Sequence, residues 1–369
     1  MTQSKLKVTF LDPSMYNLLP LWEEMKDREG VESQWAVTRE KTSFEKLKSM
    51  GVGNIIFNPN ELKAEALDEC IKPLNSDVII SSTWGRADSL PNDIPKVQTF
   101  HAIGNKVYFV KPDFAKKYDL LLFPSEFHKD LYVKYKVFSP DDARLKVVGW
   151  HRIDCFAQKE RFDKRDICNK YGIDQAKPTI FYAPTWSVYG PHGIFYRWFD
   201  KQFQVFKDLC EYTDKLGVNF IVKFHPLLQK PFMRNKEFWN AFVSLVNNYN
   251  HVKLIDAIED EDPQPLLFIT DVLITDISSI FADFLPMNRP VIFIDPKLDI
   301  WEDTEICSSY RTGFVIQNPD ELFFAISDSL QNPYRYEHDR KRLFNKLVYK
   351  FDGSAAKRAV DAVLSRYQK

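Results

Sequence analysis

The chain has 369 residues, more than one hydrophobic core usually organises, so we expect two domains. Hydrophobic residues make up 44% and charged residues 27%, a globular balance that excludes a disordered chain. Because 50 Lys and Arg face 51 Asp and Glu, the overall charge gives no reason to expect nucleic-acid binding.

Short apolar runs alternate with amphipathic stretches, which is typical of βαβ units and a largely parallel sheet. The first series of expected strands is Lys7–Leu11, Gln34–Val37, Asn54–Phe57, Val78–Ser81, Lys96–Phe100, Leu120–Phe123 and Lys146–Val148. The second series is Thr179–Tyr182, Phe220–Lys223, Val252–Leu254, Val272–Ile274, Val291–Ile294 and Gly313–Ile316. Apolar spacing also predicts helices at Phe203–Leu216, Phe238–Asn248, Asp339–Lys350 and Ala355–Tyr367.

A charged, helical region at Arg161–Lys177 separates the two strand series. We therefore expect a Rossmann-like domain over residues 1–165, a second one over 166–345, and a terminal helical segment over 346–369. Two such sheets that face each other across a cleft bind ligands at the carboxyl ends of their strands. The loops that follow strands are therefore the candidate sites.

Two polar loops follow the fifth and eighth expected strands. His101 comes directly after the fifth strand, with Asn105 and Lys106 beyond it, which places a titratable base at a sheet edge. The alternative is a surface histidine beside a turn. Thr185 and Ser187 follow the eighth strand, where hydroxyls and backbone N–H groups can hold an anion, although many strand exits look similar.

Two further polar loops follow the ninth and eleventh expected strands. Lys223 and His225 lie on the same side of an extended segment and can both donate to phosphate oxygens; the alternative is a structural ion pair and a capping histidine. Asp276, Ser278 and Ser279 follow a buried strand and precede a helix. A serine cap there would leave N–H groups that bind phosphate, or it would cap the helix and bind nothing.

The motifs FHAIGNK, VVGWHRID, FYAPTWS, VKFHP, LITDISSIFADF, RPVIFID and the closing FDGSAAKR occur in that order from about residue 96 to the end. In this set the chain resembles the CDP-glycerol glycerophosphotransferases of teichoic acid and capsule synthesis. The resemblance implies a GT-B fold with C-terminal helices that cross back. It also implies transfer of a phosphoalditol from a CDP-linked donor to a hydroxyl of a lipid-linked or polymeric acceptor, with release of CMP.

The resemblance implies roles for individual residues. His101 matches the histidine of the family's Trp-His-Gly motif, the suspected general base, and His225 matches the histidine of its His-Pro motif. The N-terminal domain would bind the acceptor, with Asn105 and Lys106 beside it. The C-terminal domain would hold the donor pyrophosphate through Thr185, Lys223, His225, Asp276, Ser278 and Ser279.

The implied reaction needs positioning and charge stabilisation more than covalent help. We expect Asp276 to orient its loop, and Arg152 and Asp154 to form an ion pair at a hinge between the domains. A divalent cation could assist, but no carboxylate cluster in the sequence demands one.

The chain departs from the family pattern at four places. Phe100-His101-Ala102 replaces Trp-His-Gly, and Ser187 stands where an arginine usually follows the Thr-Trp pair. Trp150-His151 replaces the common proline before Arg152 and Asp154, and Ile300–Gly313 lacks the expected Gly-Pro pattern. A GT-B glycosyltransferase or epimerase that uses a nucleotide-sugar therefore stays open, and its carboxylates would be Glu302, Asp303 and Glu305. A degenerate, non-catalytic subunit of a polymer-assembly complex is the third possibility.

Localisation is predicted from three features. The chain begins with a short apolar strand instead of a signal peptide, and its five scattered cysteines favour a reducing cytoplasm. Six lysines beside aromatic residues would let the protein dock on the anionic inner face of the cell membrane, unless they are an ordinary solvated face. The expected docking residues are Lys111, Lys116, Lys117, Lys129, Lys134 and Lys136, with Phe114, Tyr118, Tyr132 and Tyr135.

Overall fold

The computed structural model describes residues 4–38, 41–58, 71–103, 110–158, 160–185, 203–276, 278–294 and 311–368. The chain divides into two compact units, Met1–Gln158 with Asn345–Lys369, and Lys159–Phe344. The sequence placed the first boundary after residue 165 and treated 346–369 as a separate segment, whereas the contacts put the terminal residues in the first unit.

The first unit contains a parallel sheet with the strand order β3-β2-β1-β4-β5-β6-β7. Strands such as β4 and β6 are buried along their whole length, as their continuous apolar sequences predict for a covered parallel sheet. Its strands are β1 (Leu6–Asp12), β2 (Val31–Thr38), β3 (Ile55–Asn58), β4 (Val78–Ser81), β5 (Lys96–Gln98), β6 (Leu120–Phe123) and β7 (Leu145–Val147).

The second unit contains a parallel sheet with the order β10-β9-β8-β11-β12-β13. In both sheets all strands are parallel, but the order in which successive strands are added reverses once. The reversal lies between β1 and β4 in the first sheet and between β8 and β11 in the second. In open parallel sheets this reversal creates the crevice where ligands bind. The strands are β8 (Thr179–Tyr182), β9 (Asn219–Lys223), β10 (Val252–Ile255), β11 (Val272–Thr275), β12 (Val291–Ile294) and β13 (Phe314–Ile316).

Helices connect the strands in both units, which confirms two Rossmann-like α/β domains. In the first unit they are α1 (Leu19–Met25), α2 (Lys41–Ser49), α3 (Pro112–Ala115), α4 (Glu126–Lys134) and α5 (Asp154–Ala157). The second unit has α6 (Lys164–Tyr171), α7 (Gln204–Lys215), α8 (Pro226–Arg234), α9 (Lys236–Asn247), α10 (Gln264–Ile269), α11 (Ile280–Phe284) and α12 (Pro319–Gln331). The unit division falls inside α13 (Glu337–Leu347), and α14 (Ala355–Tyr367) follows.

The terminal helix α14 is part of the core of the first unit. Its apolar face, Ala359, Val360 and Val363, is fully buried in the same cluster as β1. The carboxylate of Asp154 accepts hydrogen bonds from the N–H groups of Ala355 and Ala356, at 3.1 and 2.7 Å. The chain therefore crosses back to the first unit, as the resemblance implied.

These contacts also correct the expected ion pair between Arg152 and Asp154. Asp154 holds the start of α14, and Arg152 donates instead to the side-chain oxygen of Asn17. The two residues are close in sequence, but their side chains contact different segments of the first unit. Burial raises the pKa of Asp154 to about 6, although both N–H groups act to lower it.

We expect this carboxyl group to make folding stability depend on pH. Because its folded pKa lies above the ordinary value of ~4, its contribution is fully present below pH ~4 and is lost as pH rises through about 6. Asp154→Asn should remove that slope, which we place on the order of 1–3 kcal/mol. Urea unfolding of both proteins from pH 4 to 7.5 measures it; parallel slopes would contradict the assignment.

Candidate functional site

The reversal point of the first sheet brings together three polar residues. Asp12 is the last residue of β1, Ser82 follows β4, and His101 comes three residues after β5. Because these strands are parallel and β4 lies between β1 and β5, their carboxyl ends meet at one edge. The Ser82 hydroxyl donates to Oδ2 of Asp12, and the Ser82 carbonyl contacts Nδ1 of His101 at 3.4 Å.

The Ser82 carbonyl determines which ring nitrogen of His101 carries the proton. A carbonyl oxygen only accepts, so Nδ1 must be the protonated nitrogen in this contact, and the lone pair of the neutral ring lies on Nε2. The turn before the ring is tight, because Phe100 has a φ of 66°, in the left-handed region. His101 as a residue is exposed.

The surroundings of His101 favour the neutral ring. Although the side chain reaches solvent, desolvation by the surrounding protein lowers its pKa below the ordinary histidine value. The Asp12 charge and the Ser82 carbonyl act to raise the pKa, and Arg152 and Lys111 act to lower it. The net effect is a neutral imidazole near pH 7, the form that accepts a proton.

A hydrogen-bond network holds Asp12 in place behind His101. Its carboxylate accepts from the backbone N–H of Ser14 at 3.2 Å and from the side-chain amide of Asn17 at 2.8 Å, besides the Ser82 hydroxyl. Asn17 in turn accepts from Arg152. Asp12 is completely buried, so these contacts satisfy a charge that water does not reach. Asp12, Ser82 and Asn17 were not predicted from the sequence, because no local motif marks them.

The reversal point of the second sheet is built by the loops after β8 and β11. The backbone N–H of Thr185 donates to both carboxylate oxygens of Asp276 at 3.1 Å, and the N–H of Ser278 donates to Oδ1 at 3.0 Å. Thr275 also donates its hydroxyl to the Ala183 carbonyl at 2.7 Å. Asp276 therefore accepts hydrogen bonds from both loops and ties them together.

The serine pair differs from the expected helix cap. The helix after it, α11, has only five residues, and the side chain of its N-cap residue Ser279 makes no capping bond. The Ser278 hydroxyl instead accepts from the N–H of Ile280 at 3.4 Å. So short a helix adds little dipole. Any anion held here would bind through individual N–H and hydroxyl groups.

His225 directly precedes α8 and comes two residues after the end of β9. Its Nδ1 accepts a hydrogen bond from the N–H of Leu227 at 3.1 Å, so the neutral ring carries its proton on Nε2. Lys223, the last residue of β9, is buried, and its ammonium donates to the carbonyl of Asp260. β9 adjoins β8, so His225 lies at the same edge of the sheet as Thr185.

Several predicted residues fall outside the described part of the chain. They are Asn105, Lys106, Ser187, Glu302, Asp303 and Glu305. Among the residues that the structure does describe, no group of three or more His, Cys, Asp or Glu side chains is arranged to hold a metal ion. In the same residues, no helix combines the length and apolar character that crossing a bilayer requires.

Solved structures of known proteins share this architecture. A structure of the wall teichoic acid polymerase TagF superposes with a TM-score of 0.71 at 17% identity, covering 98% of this chain and 89% of that one. A UDP-N-acetylglucosamine 2-epimerase superposes with a TM-score of 0.61 at 15% identity, covering 99% and 97%. At such identities the likeness shows the fold, which is of the GT-B type.

Sequence relatives narrow the family. The chain is 24% identical over 309 residues to the teichoic acid poly(glycerol phosphate) polymerase of Bacillus spizizenii, covering 79% of this chain and 71% of that protein. It spans only 32% to 37% of the length of several other teichoic acid polymerases of Bacillus and Staphylococcus. A family model described as CDP-Glycerol:Poly(glycerophosphate) glycerophosphotransferase matches residues 98–365. The chain therefore belongs to the CDP-glycerol:poly(glycerophosphate) glycerophosphotransferase family.

Proposed function

We propose that this protein transfers glycerol phosphate, or a related phosphoalditol, from a CDP-linked donor to a hydroxyl of a cell-envelope polymer acceptor. Membership of the family supports the donor class. The observation that carries the proposal is His101: a neutral imidazole at the reversal point of a parallel sheet, with Nδ1 engaged by the Ser82 carbonyl and Nε2 left as the proton acceptor.

The proposed step is an in-line displacement at phosphorus. The acceptor hydroxyl oxygen forms a bond to the phosphorus of the alditol phosphate, while the bond from that phosphorus to the bridging oxygen of CMP breaks. Nε2 of His101 takes the hydroxyl proton, and CMP leaves with the electron pair of the broken bond. A positioned base of this kind contributes about 10²–10⁴-fold in rate.

We place the donor pyrophosphate at the reversal point of the second sheet. Nε2–H of His225 would donate to a phosphate oxygen, because Leu227 already occupies Nδ1. The hydroxyls of Thr185, Ser278 and Ser279 follow neighbouring strands and can add contacts, and Asp276 fixes their loops. Lys223 would contribute mainly charge, since its ammonium already binds the Asp260 carbonyl.

A donor panel tests the proposal. Purified protein is offered CDP-glycerol, CDP-ribitol and several UDP-sugars with a polymeric acceptor, and released nucleotides are separated by chromatography. We expect CMP from a CDP-alditol and no acceptor-dependent UDP. UDP release, or an epimerised sugar, would instead support the second candidate, a nucleotide-sugar enzyme, which the fold shared with a UDP-N-acetylglucosamine 2-epimerase favours.

We further propose that the protein docks on the inner face of the cell membrane, through a smaller surface than the sequence indicated. Tyr118 and Tyr132 are only 1% and 2% exposed, so they belong to the core and cannot reach lipid headgroups. Lys117 pairs with Asp88, and Lys129 with Glu126 at 2.8 Å, which offsets their charges. The basic surface then consists of Lys111, Lys116, Lys134 and Lys136, beside Phe114 and Tyr135.

Replacing the four lysines of the basic surface by Glu should release the protein from anionic vesicles. Each lysine near such a surface contributes ~1 kcal/mol, and screening weakens the attraction as salt rises. Co-sedimentation with phosphatidylglycerol vesicles across a salt series measures this, with neutral vesicles and a Lys117→Glu, Lys129→Glu variant as controls. If wild type stays in the supernatant at low salt, the surface is only a solvated face.

A further inference from the structure

The carboxylate of Asp12 lies behind the base and is not explained by the roles assigned so far. It is completely buried at the end of β1, in the part of the chain that precedes the family match at residues 98–365. Ser82 joins the two residues: its hydroxyl donates to Asp12, and its backbone carbonyl contacts His101. We propose that Asp12 is the positioning residue of His101: it fixes Ser82, and it stabilises the imidazolium that forms when His101 takes a proton.

The geometry supports both parts of this inference, which rests on the proposed function of His101 as a base. The Ser82 hydroxyl has one proton, and it is donated to Asp12, so rotation of Ser82 is restricted. The Ser82 carbonyl then holds the ring at Nδ1. When Nε2 gains a proton, the ring becomes positive; the Asp12 charge acts to raise the pKa of His101, and burial of that carboxylate strengthens the attraction.

Other charges around His101 act in the opposite direction. Arg152 and Lys111 both lower its pKa, and Asp12 is the carboxylate that offsets them. Asn17 links the two sides, since it donates to Asp12 and accepts from Arg152. Removing the Asp12 charge should therefore leave the ring facing two cations, which disfavours the imidazolium.

Asp12→Asn tests this with little change of shape. We expect kcat to fall about 10- to 100-fold while KM for the CDP-linked donor stays within about threefold, because the loss acts on proton transfer. The acidic limb of the kcat/KM profile should move to lower pH. A residue that only supports the fold would change stability without moving that limb.

Histidine NMR provides a second test, which does not depend on catalytic turnover. The chain has 7 histidines, so the ring signals of ¹⁵N-labelled protein are few, and His101→Gln identifies the relevant one. In wild type we expect the Nδ1–H tautomer for His101, and in Asp12→Asn a lower His101 pKa. An unchanged titration in Asp12→Asn overturns the proposal even if the enzyme proves to transfer glycerol phosphate.

A matched control and a second variant complete the test. Asp77→Asn removes the same charge at the opposite end of β4, where the carboxylate accepts a hydrogen bond from the N–H of Lys7 at 2.8 Å. In this variant the His101 titration and the turnover rate should equal those of wild type. If Asp12→Asn does not fold, Asp12→Ser removes the charge with a smaller side chain. Absence of CMP release by wild type would refute the proposed function while leaving the NMR result to decide the role of Asp12.

Discussion

His101→Ala should lower the transfer rate by about 10²–10⁴-fold while nucleotide affinity stays within a few-fold. The imidazole acts on the acceptor hydroxyl and only in the transition state, so the donor complex does not need it. Its Nε2 lone pair, fixed by the Ser82 carbonyl at Nδ1, has no substitute in alanine. Initial rates of CMP release, combined with calorimetric titration of CDP, measure both quantities.

His338→Ala provides the matched control, because this histidine is exposed on α13. It should leave both rate and affinity unchanged. Activity of the wild type should also decline as pH falls through the His101 pKa, because protonation removes the lone pair. Near-normal turnover of His101→Ala with a confirmed acceptor would mean that another group is the base.

His225→Ala should weaken donor binding and slow transfer together, in contrast to the His101 variant. A hydrogen bond to a charged phosphate is worth about 1.5–3 kcal/mol, so we expect about a 10- to 100-fold loss in affinity for CDP-glycerol. The Nε2–H group of His225 should also stabilise the negative charge that develops on the departing CMP, so its loss lowers kcat. Calorimetry with CDP-glycerol and steady-state rates separate the two effects.

His225→Gln distinguishes a specific contact from a structural role. The N–H of Leu227 bonds to Nδ1 of His225 at the start of α8, so alanine could also disturb the helix. Glutamine can still accept that bond or reach the phosphate, and it should recover part of the affinity. Donor affinity that is unchanged in both variants would place the pyrophosphate elsewhere in the protein.

The strands were predictable from the sequence because each is a short apolar run, and every expected strand forms. Their ends were less predictable. The fifth strand was expected to reach Phe100 but stops at Gln98, because the left-handed backbone of Phe100 cannot continue a strand. The first strand extends one residue beyond the expected Leu11 to include Asp12, the residue that contacts Ser82.

The site was only partly predictable, because its contacts join distant parts of the chain. The histidines and the Asp276 loop stand out as polar residues after strands. The link from Asp12 to Ser82 spans 70 residues and depends on β1 lying beside β4. Local sequence also misassigned Asp154, whose partners Ala355 and Ala356 lie about 200 residues away.

The buried tyrosines show a second limit. Tyr132 was expected on a lipid-facing surface because lysines flank it. In α4 it lies on the same face as His128, four residues earlier, and that face packs into the core. Spacing along the sequence distinguishes the two faces of a helix only when the direction of the core is known.

The most direct measurement of the central claim is ³¹P NMR of the product. Wild-type protein, CDP-glycerol and a glycerol-phosphate acceptor are incubated, and the phosphorus spectrum is followed over time. We predict that the pyrophosphate signals disappear as one phosphodiester and one CMP signal appear in equal amounts, and that His101→Ala slows this conversion. Free glycerol phosphate without a new phosphodiester, or an unchanged pyrophosphate in the presence of acceptor, would contradict the proposed transfer.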